Sequence, residues 1–121
     1  GGAWALTLVN TLLGAAIDVE RRTFTLGTGG GGLSGPALHA VAIRAVVDCH
    51  RAHPGVPIVG VGGVGRGEDV IEFLLAGASA VEVGTAALAD PRAPARVLEE
   101  VRRWCGRHGV ERVRDLIGGV Q

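Results

Sequence analysis

The stretch GVGGVGRGED, residues 60–69, joins an apolar run, VPIVG, to a helix-like run, VIEFLLAG. Gly60, Gly62 and Gly65 fit the G-x-G-x-x-G pattern, in which a turn after a strand brings backbone N–H groups against a pyrophosphate. Two features argue against a dinucleotide site of that kind. Such a site starts its helix almost at the second glycine, so that the helix N-terminus meets the phosphates. Here Gly65 and Gly67 delay the helix to residues 66–68. A ribose-binding acid should also close the next strand. The only candidate, Glu82, stands inside AVEVGT with Val83, Gly84 and Thr85 still to follow.

A second reading uses two loops together. Gly62-Gly63 ends one apolar run and Gly84-Thr85 ends the next, one βα unit later. Neighbouring parallel strands would set these loops side by side. Glycine lets backbone N–H groups approach a phosphate closely and Thr adds a hydroxyl donor. The last two βα loops of a TIM barrel are a common phosphate site. Glycines that only form tight turns would leave the same letters. Asn10-Thr11 ends the first apolar run and would face the same mouth. An amide and a hydroxyl suit a flat polar ring bearing amides or a carboxylate; an Asn closing a strand turn is the plainer alternative.

The other chemistry-bearing side chains form no obvious set. His39, His50 and His53 lie on or just after one helix pattern, and no carboxylate pair joins them at metal-ligand spacing, so they read as solvated helix positions and no metal is expected. His108 falls near a helix C-terminus, where positive charge is favoured. Cys49 and Cys105 have no C-x-x-C partner and read as reduced thiols packed in or near helices. Glu99, Glu100 and Asp115 are expected on solvated faces beside arginines.

The elements that must position the loops follow from the apolar periodicity. Residues 5–10 (ALTLVN), 56–61 (VPIVGV) and 79–84 (SAVEVG) are near-continuous apolar runs, as in parallel strands covered on both faces. Residues 36–53 place Leu38, Val41, Ala45, Val46 and Cys49 on one helical stripe, with Ser34 as N-cap and Pro36 in the first turn. Residues 68–76 form a second helix with acids at its start and Gly77 as its stop. A third begins at the Asp90-Pro91 cap and runs to about Arg107, with Val97, Leu98, Val101, Trp104 and Cys105 on its apolar face. Residues 111–117 predict a short last helix. The order is β-α-β-α-β-α with right-handed crossovers. Between the first strand and its helix, IDVE-RR-TFTL predicts an accessory hairpin. The glycines at 29–32 read as a flexible approach to LSGPA, and so long a βα loop suggests function.

The chain has 121 residues, 47% hydrophobic and 20% charged, and no net charge. It is at most one domain or part of one. Zero net charge disfavours nucleic acid or an anionic membrane as partner. No stretch approaches the roughly 18 apolar residues of a membrane span, and no signal peptide is visible, so a cytoplasmic protein is expected. Without an initial Met, the sequence reads as starting mid-fold, at the turn before a strand. All 12 basic residues are Arg; there is no Lys.

LVNTLLGAAIDVERR, GGLSGPAL, VPIVGVGGV, AGASAVEVGTA and the closing DLIG together resemble the C-terminal part of dihydroorotate dehydrogenase, in order and across essentially all of residues 1–121. NTLLG…ID…GGLSGPA looks most like the class 1, NAD-linked branch; the flavin domain of dihydropyrimidine dehydrogenase is a near neighbour. The resemblance implies an α/β TIM (β/α)8 barrel with FMN at its C-terminal mouth, of which this chain would supply strands six to eight. It implies that Val9 and Gly35 contact FMN, that Gly62, Gly63, Gly84 and Thr85 hold its phosphate, and that Asn10 and Thr11 bind the pyrimidine. The implied reaction oxidises dihydroorotate to orotate in pyrimidine biosynthesis, with hydride passing to the flavin and a proton to a base. The base, Cys or Ser, and a flavin-contacting Lys belong to the N-terminal half of the family's barrel, so no catalytic residue is expected here. A homo-oligomer and an FAD/iron–sulfur electron-transfer subunit are the implied partners. The sequence departs from the family in having four glycines before LSGPA rather than two, and His39-Ala40 where Lys-Pro is common. An alternative from another class is a stand-alone half-barrel, binding flavin or phosphate or serving assembly without catalysis.

Overall fold

The structure is a computed structural model describing residues 2–120. In chain order it runs β1 (Leu6–Leu8), β2 (Leu12–Gly14), β3 (Ile17–Asp18), β4 (Thr23–Phe24), β5 (Gly31–Leu33), a 3-10 turn (Pro36–Leu38), α1 (His39–Ala52), β6 (Ile58–Val61), α2 (Gly67–Ala76), β7 (Ala80–Glu82), α3 (Thr85–Ala89), α4 (Ala93–His108) and a second 3-10 turn (Val113–Leu116). It is a mixed α/β fold with a parallel sheet in the order β1-β6-β7. The three apolar runs read from sequence hold the three strands, each trimmed at one or both ends.

Period-two alternation explains the sheet's two faces. Ile58 and Gly60 of β6 are buried. They meet a core that includes Ala42 and Val46 from α1, Phe73 and Ala76 from α2, and Val97 from α4. A second cluster joins α2 to α4 through Ile71, Leu74, Val101 and Cys105. The opposite face carries Thr7, Val59 and Ala80 in one register row and Val61 and Glu82 in the next. Thr7, Ala80 and Glu82 are exposed and the two valines half-buried. Among the described residues, helices therefore cover one face only, where the apolar runs predicted cover on both.

Several local expectations are corrected. The buried stripe is Leu38 of the 3-10 turn with Ala42 and Val46 of α1, whereas Val41 is 46% exposed. At about 100° per residue, Val41 falls roughly a quarter turn from the centre of that stripe. Ser34 does not cap α1; the 3-10 turn ahead of it follows Gly35, with no side-chain cap. Asp90 precedes α4 by a turn, accepting from the Arg92 N–H at 3.0 Å, and the helix starts at Ala93. The last helix is only a 3-10 turn. The glycine run is not a loose approach. Gly31–Leu33 pairs antiparallel with Leu12–Gly14, and a Cβ at Gly32 would collide with the Thr11 side chain. The accessory hairpin is present as β3 and β4, turning through Arg22 at φ 56°. Gly77, at φ 117°, ends α2 as expected.

Candidate functional site

The C-terminal ends of β1, β6 and β7 and the loop before α1 surround a cavity of about 480 Å³. Its lining contains all eight residues singled out from the sequence: Val9, Asn10, Thr11, Gly35, Gly62, Gly63, Gly84 and Thr85. It also contains Thr7, Ser34, Leu38 and Val61, which sequence reasoning did not assign to a site. Thr7 could have been found, since it lies two residues before Val9 in the same apolar run, residues 5–10.

Parallel pairing brings the loops together. Val61 and Glu82 are register partners, so Gly62-Gly63 and Gly84-Thr85 leave the sheet side by side. Gly62 and Gly63 have φ of 142° and 71°, in the region that favours glycine. A Cβ on Gly63 would lie 2.8 Å from the Gly35 carbonyl oxygen, and one on Gly62 would lie 2.8 Å from the Ala42 Cβ. The loop is therefore pressed against the start of α1. Among the described residues, the Gly63 N–H donates to no protein acceptor, whereas the Gly62 N–H faces β7 along the ladder that pairs Val61 with Glu82. Gly84 differs: nothing lies within 4 Å of the position its Cβ would take.

The side chains add hydroxyls and an amide. Thr85 Oγ1 donates to Ser34 Oγ at 2.9 Å, tying the loop after β7 to the loop before α1. The Ser34 hydroxyl proton stays available to donate onward. The Thr11 N–H donates to Asn10 Oδ1 at 2.8 Å, which leaves the Asn10 NH₂ free to turn outward.

The N-terminus of α2 is already filled by carboxylates. Asp69 Oδ2 accepts from the Gly65 N–H at 2.8 Å and the Arg66 N–H at 3.0 Å. Glu100 of α4 accepts from the Gly67 N–H at 2.7 Å, so it is not the solvated acid expected. Burial opposes ionisation of Asp69, but the Gly65 N–H and Arg66 outweigh it and hold the carboxyl below its usual range. The Gly67 N–H, aided by Arg96, does the same for Glu100. No pyrophosphate could reach this helix end, which disposes of the dinucleotide reading of G-x-G-x-x-G.

His39 was expected to be solvated and is half-buried instead. Its Nδ1 donates to the Gly62 carbonyl at 2.9 Å, and its Nε2 lies 2.9 Å from Glu72 Oε2. The ring stands edge-on to Phe73 with centroids 5.2 Å apart. His39, Asp69 and Glu72 come within reach of one another, a grouping the sequence spacing did not reveal. Asp69 is committed to backbone donors and to Arg66 Nε at 3.2 Å, and that guanidinium opposes a cation. Cys49 is half-buried and Cys105 buried, both unpaired and neither lining the cavity.

The family profile described as "Dihydroorotate dehydrogenase" matches residues 1–104. A relative from Solibacter usitatus, named "Putative dihydroorotate dehydrogenase A (fumarate)", is 51% identical over 99% of this chain and 39% of its own length. The protein named "Dihydroorotate dehydrogenase B (NAD(+)), catalytic subunit" from Pelobacter propionicus is 48% identical over the same shares. A crystal structure of DHODH from Eimeria tenella in complex with ferulenol superposes with TM-score 0.80 at 32% identity, covering 98% of this chain and 31% of that one. The chain thus spans about two-fifths of the length of the curated relatives it matches. With that match over most of its residues, this chain belongs to the dihydroorotate dehydrogenase family.

Proposed function

We propose that this chain is the C-terminal part, strands six to eight, of a flavin-binding (β/α)8 barrel that oxidises dihydroorotate to orotate in pyrimidine biosynthesis. The observation that carries the reading is the single cavity collecting all eight residues. Its fit to FMN rests on three features. The Gly63 N–H, without an acceptor among the described residues and on backbone only glycine adopts easily, suits a phosphate. The Thr85–Ser34 hydroxyl pair adds donors beside them. Open space at Gly84 leaves room for a ligand against the backbone.

In this reading Gly62, Gly63, Gly84 and Thr85 hold the phosphate, while Val9 and Gly35 pack against the flavin. Asn10 and Thr11 clamp the pyrimidine by its amide and carboxylate edge. FMN, when bound, supplies the hydride-accepting chemistry. The base and a cationic contact to the flavin would come from the rest of the barrel, since this chain has no Lys and its thiols lie off the cavity. The sheet face bearing Thr7, Val59 and Ala80 would be covered by the remaining strands. The relatives carry both A (fumarate) and B (NAD(+)) names. The NAD-linked assignment, with an FAD/iron–sulfur partner subunit, homo-oligomerisation and a cytoplasmic location, belongs to the same proposal; no helix among the described residues is long and apolar enough to cross a membrane.

The test is FMN binding, followed by quenching of flavin fluorescence. It uses the purified chain alone and the chain mixed with the N-terminal part of the Pelobacter propionicus relative, with Gly63→Val and Thr85→Ala as controls. Saturable binding in either sample, lost in both controls, supports the reading. No binding in either sample overturns it. Binding by the chain alone would show that the phosphate loops form without the other half.

A further inference from the structure

The Gly62–Gly63 peptide is trans, because the only cis bond among the described residues is Leu8–Val9. In a trans peptide the carbonyl and the following N–H point in opposite directions. Whatever grips the Gly62 carbonyl therefore aims the Gly63 N–H the other way. His39 is that grip, at 2.9 Å on the side of α1.

The imidazole faces acceptors at both nitrogens, the Gly62 carbonyl at Nδ1 and the Glu72 carboxylate at Nε2. Two N–H donors satisfy both only when the ring is protonated. A neutral ring has one N–H. It either points a lone pair at Glu72 or keeps Glu72 and points a lone pair at the Gly62 carbonyl, which is then released. The charged groups facing the ring are Glu72 and Asp69 of α2 and, beyond Asp69, Arg66 at the helix start.

We propose that His39 is a positioning residue of the anion loop: its protonated ring holds the Gly62–Gly63 peptide with the Gly63 N–H presented to the cavity, so that phosphate binding there weakens as the ring loses its proton. Histidine is the side chain that ordinarily changes charge within about pH 5–8, which gives the site a response to pH. The FMN phosphate has a second ionisation near pH 6 by analogy with phosphoserine, and that change acts in the opposite direction. The readout must therefore be a difference between proteins. The proposal rests on the FMN-phosphate reading above for its ligand, but not for its geometry.

Two readouts separate the two. The first is the ¹H–¹⁵N spectrum of the ligand-free chain titrated with acid, for the parent and for His39→Asn and Glu72→Gln. Asn keeps a donor near the Nδ1 position and does not titrate, and spectral dispersion reports whether each variant is folded. The Gly63 amide is expected to move with the His39 titration in the parent and to stay still in His39→Asn. The second is FMN affinity at about pH 6 and about pH 8. Relative to His39→Asn, the parent is expected to lose roughly three- to tenfold, the size of one hydrogen bond's net contribution. Glu72→Gln should shrink that difference. A Gly63 amide that ignores His39, or FMN profiles that coincide in parent and His39→Asn, overturns the proposal. An amide that follows His39 in a protein that binds no FMN at either pH upholds the grip and rejects FMN as its ligand.

Discussion

The glycines of GVGGVGRG look like one motif but answer at least three separate demands. Gly60 is bare because the Phe73 ring occupies the space a Cβ would need. Gly62 and Gly63 hold positive φ against α1. Gly67 closes the crossing of α2 on α4, where a Cβ would lie 2.7 Å from the Val101 nitrogen. Only the middle pair lines the cavity, so the letters alone could not separate packing from binding. Substitutions do. Gly60→Ala should cost about 1–3 kcal/mol by overpacking Phe73, measured as a lowered denaturation midpoint. Gly84→Ala meets open space at φ −102°, so its stability should stay within roughly 0.5 kcal/mol of the parent while FMN affinity falls several-fold. Unchanged affinity in Gly84→Ala would remove Gly84 from the proposed site. Eight of the twelve lining residues were legible, because each ends an apolar run or sits in a motif that carries the family resemblance. Ser34 was misread because a Ser before Pro36 mimics a cap, whereas its partner, Thr85, lies 51 residues away.

Elements were legible where side chains carried the signal. The three parallel strands stood out as Val- and Leu-rich runs, and α2 and α4 by their apolar faces. The β2–β5 pairing did not, because a strand spelled GGL offers no alternation to read. The five residues of α3, TAALA, are too few for a period. The start of α2 shows what sequence spacing hides, since Glu100 reaches it from 33 residues away. Both Asp69 and Glu100 ionise more readily in the folded chain than usual. A depressed folded value means the contribution is present above the unfolded values, about 3.9 for Asp and 4.3 for Glu. It is lost as pH falls below them, through the folded values. The denaturation midpoint should therefore drop between about pH 5 and pH 2. Glu100→Gln should be less stable than the parent at neutral pH and lose less of its stability on acidification. Parallel losses in the two proteins would show that Glu100 contributes nothing to the acid sensitivity.

At the scale of the molecule, one sheet face has no helices over it among the described residues. Its five register-aligned residues include Val59 and Val61, and the sheet presents β1 and β7 as edges. Exposed apolar side chains continue along the accessory strands, with Leu13 97%, Ile17 62% and Phe24 56% accessible. Open edges beside an apolar face are a template for pairing with another chain. The curated relatives are more than twice as long as this chain, and under the barrel reading proposed above that extra length would hold the strands covering this face. The physical expectation follows from burial. In isolation, the chain should self-associate through this face, and an N-terminal part of a relative's barrel should replace self-association with a one-to-one complex. Val59→Lys puts a charge at the centre of the face at a position that does not itself line the cavity, although its register partner Thr7 does. It should abolish both kinds of association while leaving the helical core folded. Sedimentation velocity across a concentration series reads all three states. A parent chain that stays monomeric, alone and with the N-terminal part, would mean that this face is stable against water, and the half-barrel would then be a self-sufficient module rather than one side of a closed cylinder.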